Sequence, residues 1–249
     1  MNGSNRVALV TGASRNIGRA IAQRFGQAGY AVALFARDLT MLNETASLLR
    51  YTGAEVSIHP GDVTDDAAVE AFVQTAAELH GGIDVLVNNA GVMNEAPTQD
   101  VTPTLFRQTL DVNLTAYYTA ARAAHPFLAQ RRGVVVNIGS LFGALGVSRA
   151  IAYCASKAAV DGLTRALAAE WARDGVRCVC LAPGYVESDI TRDALADPEL
   201  GRRIRSRIPL RRVGTPVEVA DFAAFVASPE ASFMTGETIV LDGGQRILP

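Results

Sequence analysis

Lysine is almost absent from this chain of 249 residues: of its 23 basic residues, all but Lys157 are arginine. Cysteine is scarce too. Cys154, Cys178 and Cys180 form an odd set with no CxxC and no framework spacing. That excludes a disulfide-stapled scaffold, and a reduced, cytoplasmic setting is expected. The three histidines, His59, His80 and His125, are scattered, so a zinc site has almost nothing to use and no metal is expected. No apolar run approaches the roughly 18 residues needed to cross a bilayer. The stretch from Met1 to Arg6 lacks the basic-then-apolar order of a secretory leader. An excess of one charge is also missing. A net charge of −2 and a pI near 5.9 give no global electrostatic reason to bind nucleic acid.

What is present is a large apolar fraction, 49% hydrophobic against 19% charged, enough to bury a sizeable core and to exclude a disordered chain. Short apolar, β-branched runs at Arg6–Val10, Ala31–Ala36, Glu55–His59, Asp84–Asn88, Val134–Ile138, Arg177–Leu181 and Thr238–Leu241 predict strands. Most are continuous rather than alternating, as strands buried on both faces of a parallel sheet are. Amphipathic stretches between them predict helices at Ile17–Ala28, Leu39–Leu49, Asp65–Leu79, Thr102–Ala129, Ala150–Arg173 and Pro216–Ala227. The alternation argues for α/β architecture: one Rossmann-type doubly wound domain over residues 1–249, with a seven-stranded, mostly parallel sheet and helices on both faces. Residues 185–214 break the rhythm with a weak helical signal, acidic at first and basic from Arg202 to Arg212. An insertion of that length in a compact domain is expected to be a substrate-binding lid.

Ligands of open α/β sheets bind beyond the carboxyl ends of the strands. There this chain places Thr11-Gly12-Ala13-Ser14-Arg15-Asn16-Ile17-Gly18, Arg37-Asp38, Gly61-Asp62-Val63, Asn89-Ala90-Gly91, Gly139-Ser140, Pro183-Gly184 and Asp242-Gly243-Gly244. Turn chemistry accounts for part of the pattern, but not for a distinct polar group at nearly every strand end. A glycine-rich turn opening a helix lets backbone N–H groups approach a pyrophosphate closely. The second constellation is Tyr153-Cys154-Ala155-Ser156-Lys157, whose ends share a helix face at i and i+4. With six tyrosines, the chance that the one lysine falls four residues after any of them is roughly 2% by counting. A compact ammonium shares and relays protons where a guanidinium does not, so this position has a reason to be lysine.

Taken together these residues resemble the short-chain dehydrogenase/reductase family. The matching pieces run from Arg6 to Gly244: the turn at 11–18, Asp62-Val63, Asn88-Asn89-Ala90-Gly91, Asn113, Ser140 thirteen residues before Tyr153, Lys157, and Pro183-Gly184. Within the family the chain is most similar to bacterial 3-oxoacyl-(acyl-carrier-protein) reductases. The resemblance implies an oxidoreductase in which Asn113, Ser140, Tyr153 and Lys157 are catalytic. Tyr153 is then the proton donor, Ser140 holds the substrate oxygen, Lys157 also binds the nicotinamide ribose, and Asn113 anchors a proton-carrying water. It also implies cofactor contacts from Gly12, Ser14, Arg15, Asn16, Ile17, Gly18, Arg37, Asp62, Val63, Asn89, Ala90, Gly91, Pro183, Gly184, Val186 and Ser188. An ammonium ~5 Å from the phenol at an effective dielectric of ~20 is worth about 3 kcal/mol, which predicts a Tyr153 pKa near ~8.

Cofactor choice turns on the end of the second strand. A count of about 20 residues from Gly18 lands on Asp38, which would favour NADH. The family pattern instead puts Ala36 at the acidic position with Arg37 beside it, and Arg15 supplies a second cation; this pairing favours NADPH. Asn16 stands where the family has glycine. Asn tolerates left-handed backbone angles, so the turn survives, with the side chain either crowding the cofactor or adding a hydrogen bond. The substrate pocket is expected to draw on Met93, Phe142, Leu145, Val147 and Tyr185, an apolar lining suited to acyl thioesters, cyclic ketones or steroids. An acyl-carrier protein is a candidate partner through Arg131, Arg132 and the arginines from Arg202 to Arg212. A homotetramer is implied, packed through the alanine-rich faces of the two long helices. An NAD-linked secondary-alcohol, steroid or cyclic-ketone dehydrogenase and a non-catalytic dinucleotide-binding scaffold are the alternatives.

Overall fold

The computed structural model describes residues 6–247; the stretch before Arg6, on which the leader expectation rests, lies outside them. Seven strands are present among the described residues: β1 (Arg6–Thr11), β2 (Tyr30–Ala36), β3 (Val56–Pro60), β4 (Val85–Asn88), β5 (Val134–Ile138), β6 (Arg177–Pro183) and β7 (Thr238–Leu241). They form one sheet in the order β3-β2-β1-β4-β5-β6-β7. Every pairing is parallel rather than mostly so.

Alternate residues of a strand point to opposite faces, and here both faces are covered. Ala8 and Val10 of β1 pack with helices α1 (Asn16–Gln27), α2 (Leu39–Tyr51) and α9 (Pro216–Val226). Val7 and Leu9 pack on the other face with α3 (Asp66–His80), α5 (Ala116–Arg131) and α6 (Ile151–Trp171). Double coverage is why the strands read as unbroken apolar runs. Each fully buried Leu, Ile or Phe contributes about 1.5–3 kcal/mol relative to exposure.

Helix starts follow local chemistry. Asp38, Asp65 and Thr102 accept hydrogen bonds from the backbone N–H of Met41, Ala68 and Leu105, and Thr215 forms a reciprocal capping box with Glu218. The first of the two long helices expected from the sequence is interrupted. α4 (Pro103–Leu110) passes through a π-helical turn at Asp111–Thr115 before α5 begins. Residues 185–214 contain two short helices, α7 (Arg192–Ala196) and α8 (Pro198–Ser206). A small apolar cluster of Ile204, Ile208 and Val213, with Tyr185, Ala194 and Leu195 packed against it, holds them.

The histidines serve the scaffold. His80 bridges Glu55 and Ser57, while His125 pairs with Asp174 and stacks on Trp171.

Candidate active site

The strand order reverses between β1 and β4, and a topological switch point of this kind leaves a crevice at the carboxyl ends of the strands. A cleft of about 710 Å³ opens there. Its floor is built by cross-bonding of two strand ends. Thr11 Oγ1 accepts from the N–H of Asn89 and of Ala90, and Asn89 Nδ2 donates back to the carbonyls of Thr11 and Gly12. Gly12 has φ +64°, and a Cβ on it would sit 2.8 Å from Asn89 Nδ2. A Cβ on Gly18 would overlap the Gly12 carbonyl oxygen and approach Asn89 Nδ2 to 2.5 Å. Only glycine allows the turn to close this tightly. Gly18→Ala is therefore expected to cost about 2–3 kcal/mol, a melting temperature lower by about 5–10 °C. Calorimetry checks this against Gly162→Ala, a helical position whose nearest foreign atom is 3.9 Å away, where the change is expected to be neutral or stabilising.

Around this floor the structure gathers residues from six strand ends. Gly12, Ser14, Arg15, Asn16, Ile17 and Gly18 form one wall, continued by Arg37, Asp62 and Val63. Asn89, Ala90 and Gly91 lie beneath; Pro183, Gly184, Val186 and Ser188 close one side, and Ser140, Tyr153 and Lys157 stand across. The start of α1 has no side-chain cap, so its first N–H groups face the cleft without a competing side-chain acceptor.

Asn16 has φ +48°, as its place in the turn requires. Its side chain does not hang free over the cleft. Nδ2 donates to Asp189 Oδ2 at 3.0 Å, and the same oxygen pairs with Arg15 Nη1 at 3.0 Å. Arg192 holds the other Asp189 oxygen. The phosphate-type turn is thus tied to the segment after β6 through a carboxylate only 23% exposed, a residue that no motif singles out.

Tyr153 and Lys157 lie one turn apart on α6, but the lysine does not aim at the phenol. Lys157 is 3% exposed. Its ammonium donates to the Ile138 carbonyl at 2.7 Å and to Tyr117 Oη at 3.3 Å, and stands 5.8 Å from the Tyr153 ring centre. The expected lowering of the Tyr153 pKa to near 8 is overturned. Burial raises it above 10, a hydrogen bond from Ser140 opposes that rise, and the neighbouring Cys154 adds to it. Burial instead lowers the Lys157 ammonium from 10.5 to about 8, with Cys180 and Asp161 opposing. Desolvation is the largest cause of both shifts.

Asn113 sits in the π-helical turn, fully buried. Oδ1 accepts from Val92 N–H at 2.9 Å, and Nδ2 donates to the Val92 carbonyl and to Ser156 Oγ. A Cβ on Gly91 would lie 3.5 Å from Asn113 Oδ1 and 3.7 Å from Lys157 Nζ, so this glycine keeps a small polar space open between them. Ser140 Oγ accepts from Phe142 N–H. Phe142 stands edge-on to Tyr153 at 6.2 Å and to Tyr185 at 5.8 Å.

The five expected substrate-contacting residues are not part of the cleft lining. Phe142 stands beside Tyr153, and Tyr185 beside Phe142. Met93, Leu145 and Val147 belong to two loops joined by the Ala96 N–H and the Arg149 carbonyl. Arg131 donates to the Gly81 carbonyl, and Arg132 ends α5 in a left-handed conformation against Gly175. Both arginines therefore sit where strands begin, at the opposite edge of the sheet from the cleft. Of the alanines expected on helix–helix faces, Ala116, Ala120 and Ala124 are buried inside the chain; Ala158, Ala166 and Ala169 on α6 are exposed, Ala123 and Ala159 partly so. Sequence reasoning also missed Tyr117. Its spacing of four from Asn113 was the available signal.

A family profile described as enoyl-(acyl carrier protein) reductase matches residues 12–246. Over 249 residues, covering all of both chains, the sequence is 37% identical to a 3-oxoacyl-(acyl-carrier-protein) reductase of Vibrio harveyi. It is 34% identical to 3beta-hydroxysteroid dehydrogenase 1 of Eggerthella lenta, covering 98% of this chain and 95% of that one. A crystal structure described as an NAD(P)-dependent gluconate 5-dehydrogenase from Beutenbergia cavernae, with NADP bound at low occupancy, superposes with a TM-score of 0.93. That similarity covers 98% of each chain at 37% identity.

Proposed function

The chain belongs to the short-chain dehydrogenase/reductase family, oxidoreductases acting on alcohol and ketone groups, and from that premise we propose an NADPH-dependent ketoreductase for a 3-oxoacyl thioester or related hydrophobic ketone. The observation that carries this is the facing of two walls across one cleft: a glycine turn with an uncapped helix start on one, Ser140, Tyr153 and Lys157 on the other. The turn fits a dinucleotide, because its glycines let it close tightly on Asn89 while the uncapped start of α1 leaves backbone N–H groups for a pyrophosphate.

When bound, the nicotinamide supplies the hydride for carbonyl reduction. Tyr153 delivers the proton from its phenolic oxygen, and the Ser140 hydroxyl orients the substrate oxygen beside it. Lys157 has three N–H donors. Two are taken, and the third is left for the ribose and the polar space beside Gly91. Asn113 Oδ1 borders the same space and retains a lone pair for a proton-carrying water. The burial-raised phenol is well suited to hold its proton until the carbonyl oxygen gains charge.

Support for NADPH comes from the end of β2. Asp38, the acidic candidate for a ribose hydroxyl, accepts from Met41 N–H and caps α2. Arg37 is 73% exposed at the cleft rim. The NAD-linked alternative has its own support: each of the two arginines already has a carboxylate, Arg37 with Asp62 at 3.7 Å and Arg15 with Asp189. Asp189→Asn is therefore expected to raise the NADP-over-NAD preference about 5-fold at low salt, on the order of 1 kcal/mol. Equilibrium titration with both dinucleotides reads the ratio, and an unchanged ratio would remove Arg15 from phosphate recognition.

The deciding experiment follows cofactor oxidation with an acetoacetyl thioester, NADPH and NADH in parallel. Turnover with NADPH alone supports the reading. No turnover with either sinks the thioester class and moves the search to cyclic ketones, steroids and secondary alcohols. Residues 185–214 act as the lid in this scheme. The exposed arginines of α8 and Arg207 just beyond it offer a carrier protein a basic rim. Equal rates with free and carrier-bound thioester at two ionic strengths would remove that partner. A homotetramer and a reduced, cytoplasmic setting complete the proposal, supported by the exposed α6 alanines and three free cysteines. Light scattering checks the former.

A further inference from the structure

Lys157 is a buried ammonium without an acidic partner: among the described residues, no carboxylate forms an ion pair with it. Isolated buried charge is costly unless hydrogen bonds replace the lost water. Two oxygens do so here. The Ile138 carbonyl from β5 accepts at 2.7 Å, and Tyr117 Oη from α5 accepts at 3.3 Å. Tyr117 in turn donates its own proton to the Ile138 carbonyl at 3.2 Å, which closes a triangle. The tyrosine ring also presents itself to the ammonium, 5.2 Å from nitrogen to ring centre. Tyr153, which the reaction uses, makes no hydrogen bond to the lysine and is farther away at 5.8 Å.

We propose that Tyr117 is a positioning residue for this reaction: its hydroxyl holds the Lys157 ammonium against the Ile138 carbonyl and sets the pH at which that lysine loses its charge. The proposal rests on the reading of Lys157 as the partner of Tyr153 in carbonyl reduction. Tyr117 lies behind the cleft and is 1% exposed, so it meets neither substrate nor cofactor. It does not carry protons itself. Burial raises its phenol well above the ordinary value, and its single proton is committed to Ile138. It acts as a fixed dipole whose oxygen favours the charged lysine.

The other groups bearing on Lys157 are few. Asp161 and Tyr153 approach from α6, and Cys180 from β6. The Asp161 carboxylate is already engaged by Thr238 Oγ1 at 3.0 Å, and burial raises the Cys180 thiol to about 12, keeping it neutral. Removing the Tyr117 hydroxyl thus deletes one of two direct acceptors, and the charged lysine loses more than the neutral one.

The chain's single lysine makes the test direct. Protein labelled with ε-¹³C-lysine gives one side-chain resonance, and its pH titration in the cofactor-free protein needs no assignment. Tyr117→Phe is expected to move the midpoint down by about one pH unit, the scale of one hydrogen bond to a charged group. Tyr153→Phe is expected to leave it in place. In kinetics the alkaline limb of kcat/KM for reduction moves down with the Tyr117→Phe midpoint, while KM for the carbonyl substrate is unchanged. If Tyr117→Phe fails to fold, 3,5-difluorotyrosine installed at 117 keeps the shape, weakens the acceptor and shifts the midpoint the same way by less. An unmoved midpoint, or a larger shift in Tyr153→Phe, overturns the proposal. The resonance is read without substrate, so a failed thioester assay would sink the substrate class and leave this result standing.

Discussion

Tyr153→Phe loses about 10²–10⁴ of kcat for carbonyl reduction, the range that a positioned general acid contributes, while dinucleotide affinity and melting temperature stay near those of the parent protein. The substitution removes one oxygen. The ring remains against Phe142, whose edge-on contact at 6.2 Å is made by carbon and not by the hydroxyl. That hydroxyl is hydrogen-bonded to Ser140, which keeps the Phe142 N–H and borders the open cleft. A loss confined to kcat therefore reports the proton and nothing else. Steady-state kinetics alongside a dinucleotide titration makes the separation. Retained turnover would remove Tyr153 as donor, and a parallel collapse in stability would show that the hydroxyl serves the fold.

Lys157→Met is expected to have the opposite signature: activity falls by at least about 10²-fold, and the folded protein becomes more stable at neutral pH. Burial lowers the lysine from 10.5 to about 8, a difference worth about 3 kcal/mol against folding while the group is charged in both states. The sign follows from proton binding. Between about pH 8 and 10.5 the unfolded chain holds the proton more tightly than the folded one. Stability from this group therefore rises with pH across that window, and below it the full penalty is present. Methionine matches the length of the aliphatic stem and carries no charge to bury, and the Ile138 carbonyl keeps its bond from Tyr117. Chemical denaturation at pH 7 should show a gain of about 1–3 kcal/mol in Lys157→Met, smaller than the full penalty because packing changes too. The gain should shrink as pH approaches 10. A loss of stability at pH 7 would mean that the ammonium is held better than its hydrogen bonds indicate.

These two outcomes turn on how differently the parts of the site could be read. Within the candidate site, the Tyr153–Lys157 pair and the glycine turn were legible because each is a short-range pattern: Tyr153 and Lys157 at i and i+4, Gly12 and Gly18 within one strand-to-helix turn; Asn113 and Ser140 came only with the family resemblance. Strand positions were equally legible. Val134–Ile138 and Thr238–Leu241 lie where continuous β-branched runs put them, and β1 and β6 merely extend further toward the cleft, to Thr11 and Pro183. The interrupted helix was harder. Residues 102–129 keep one apolar rhythm, and the π-helical turn at Asp111–Thr115 adds only a local register change that a periodic pattern does not register.

The charged residues divide in the same way. The sequence assigned Arg15 and Arg37 to an anion and Arg131 and Arg132 to a partner. Folding gives Arg15 to Asp189 and Arg37 to Asp62, and it carries Arg131 and Arg132 to the edge of the sheet away from the cleft. None of these pairings is encoded in spacing. Asp189 is more than 170 residues from Asn16 by the numbering that separates them.

By itself, then, the sequence determined the α/β architecture, the cleft at the strand ends and the candidate glycine turn and Tyr153–Lys157 pair that line it, because secondary-structure period, turn chemistry and helix spacing act over a few residues. Only the tertiary structure decided the electrostatics. An ammonium near a phenol in an open helix would lower the phenol; in the folded chain, desolvation raises the phenol at the cleft wall and lowers the ammonium packed against β5 and α5. The reason is that desolvation depends on everything packed around a group, and long-range partners such as Tyr117 and Asp189 arrive only when distant segments meet.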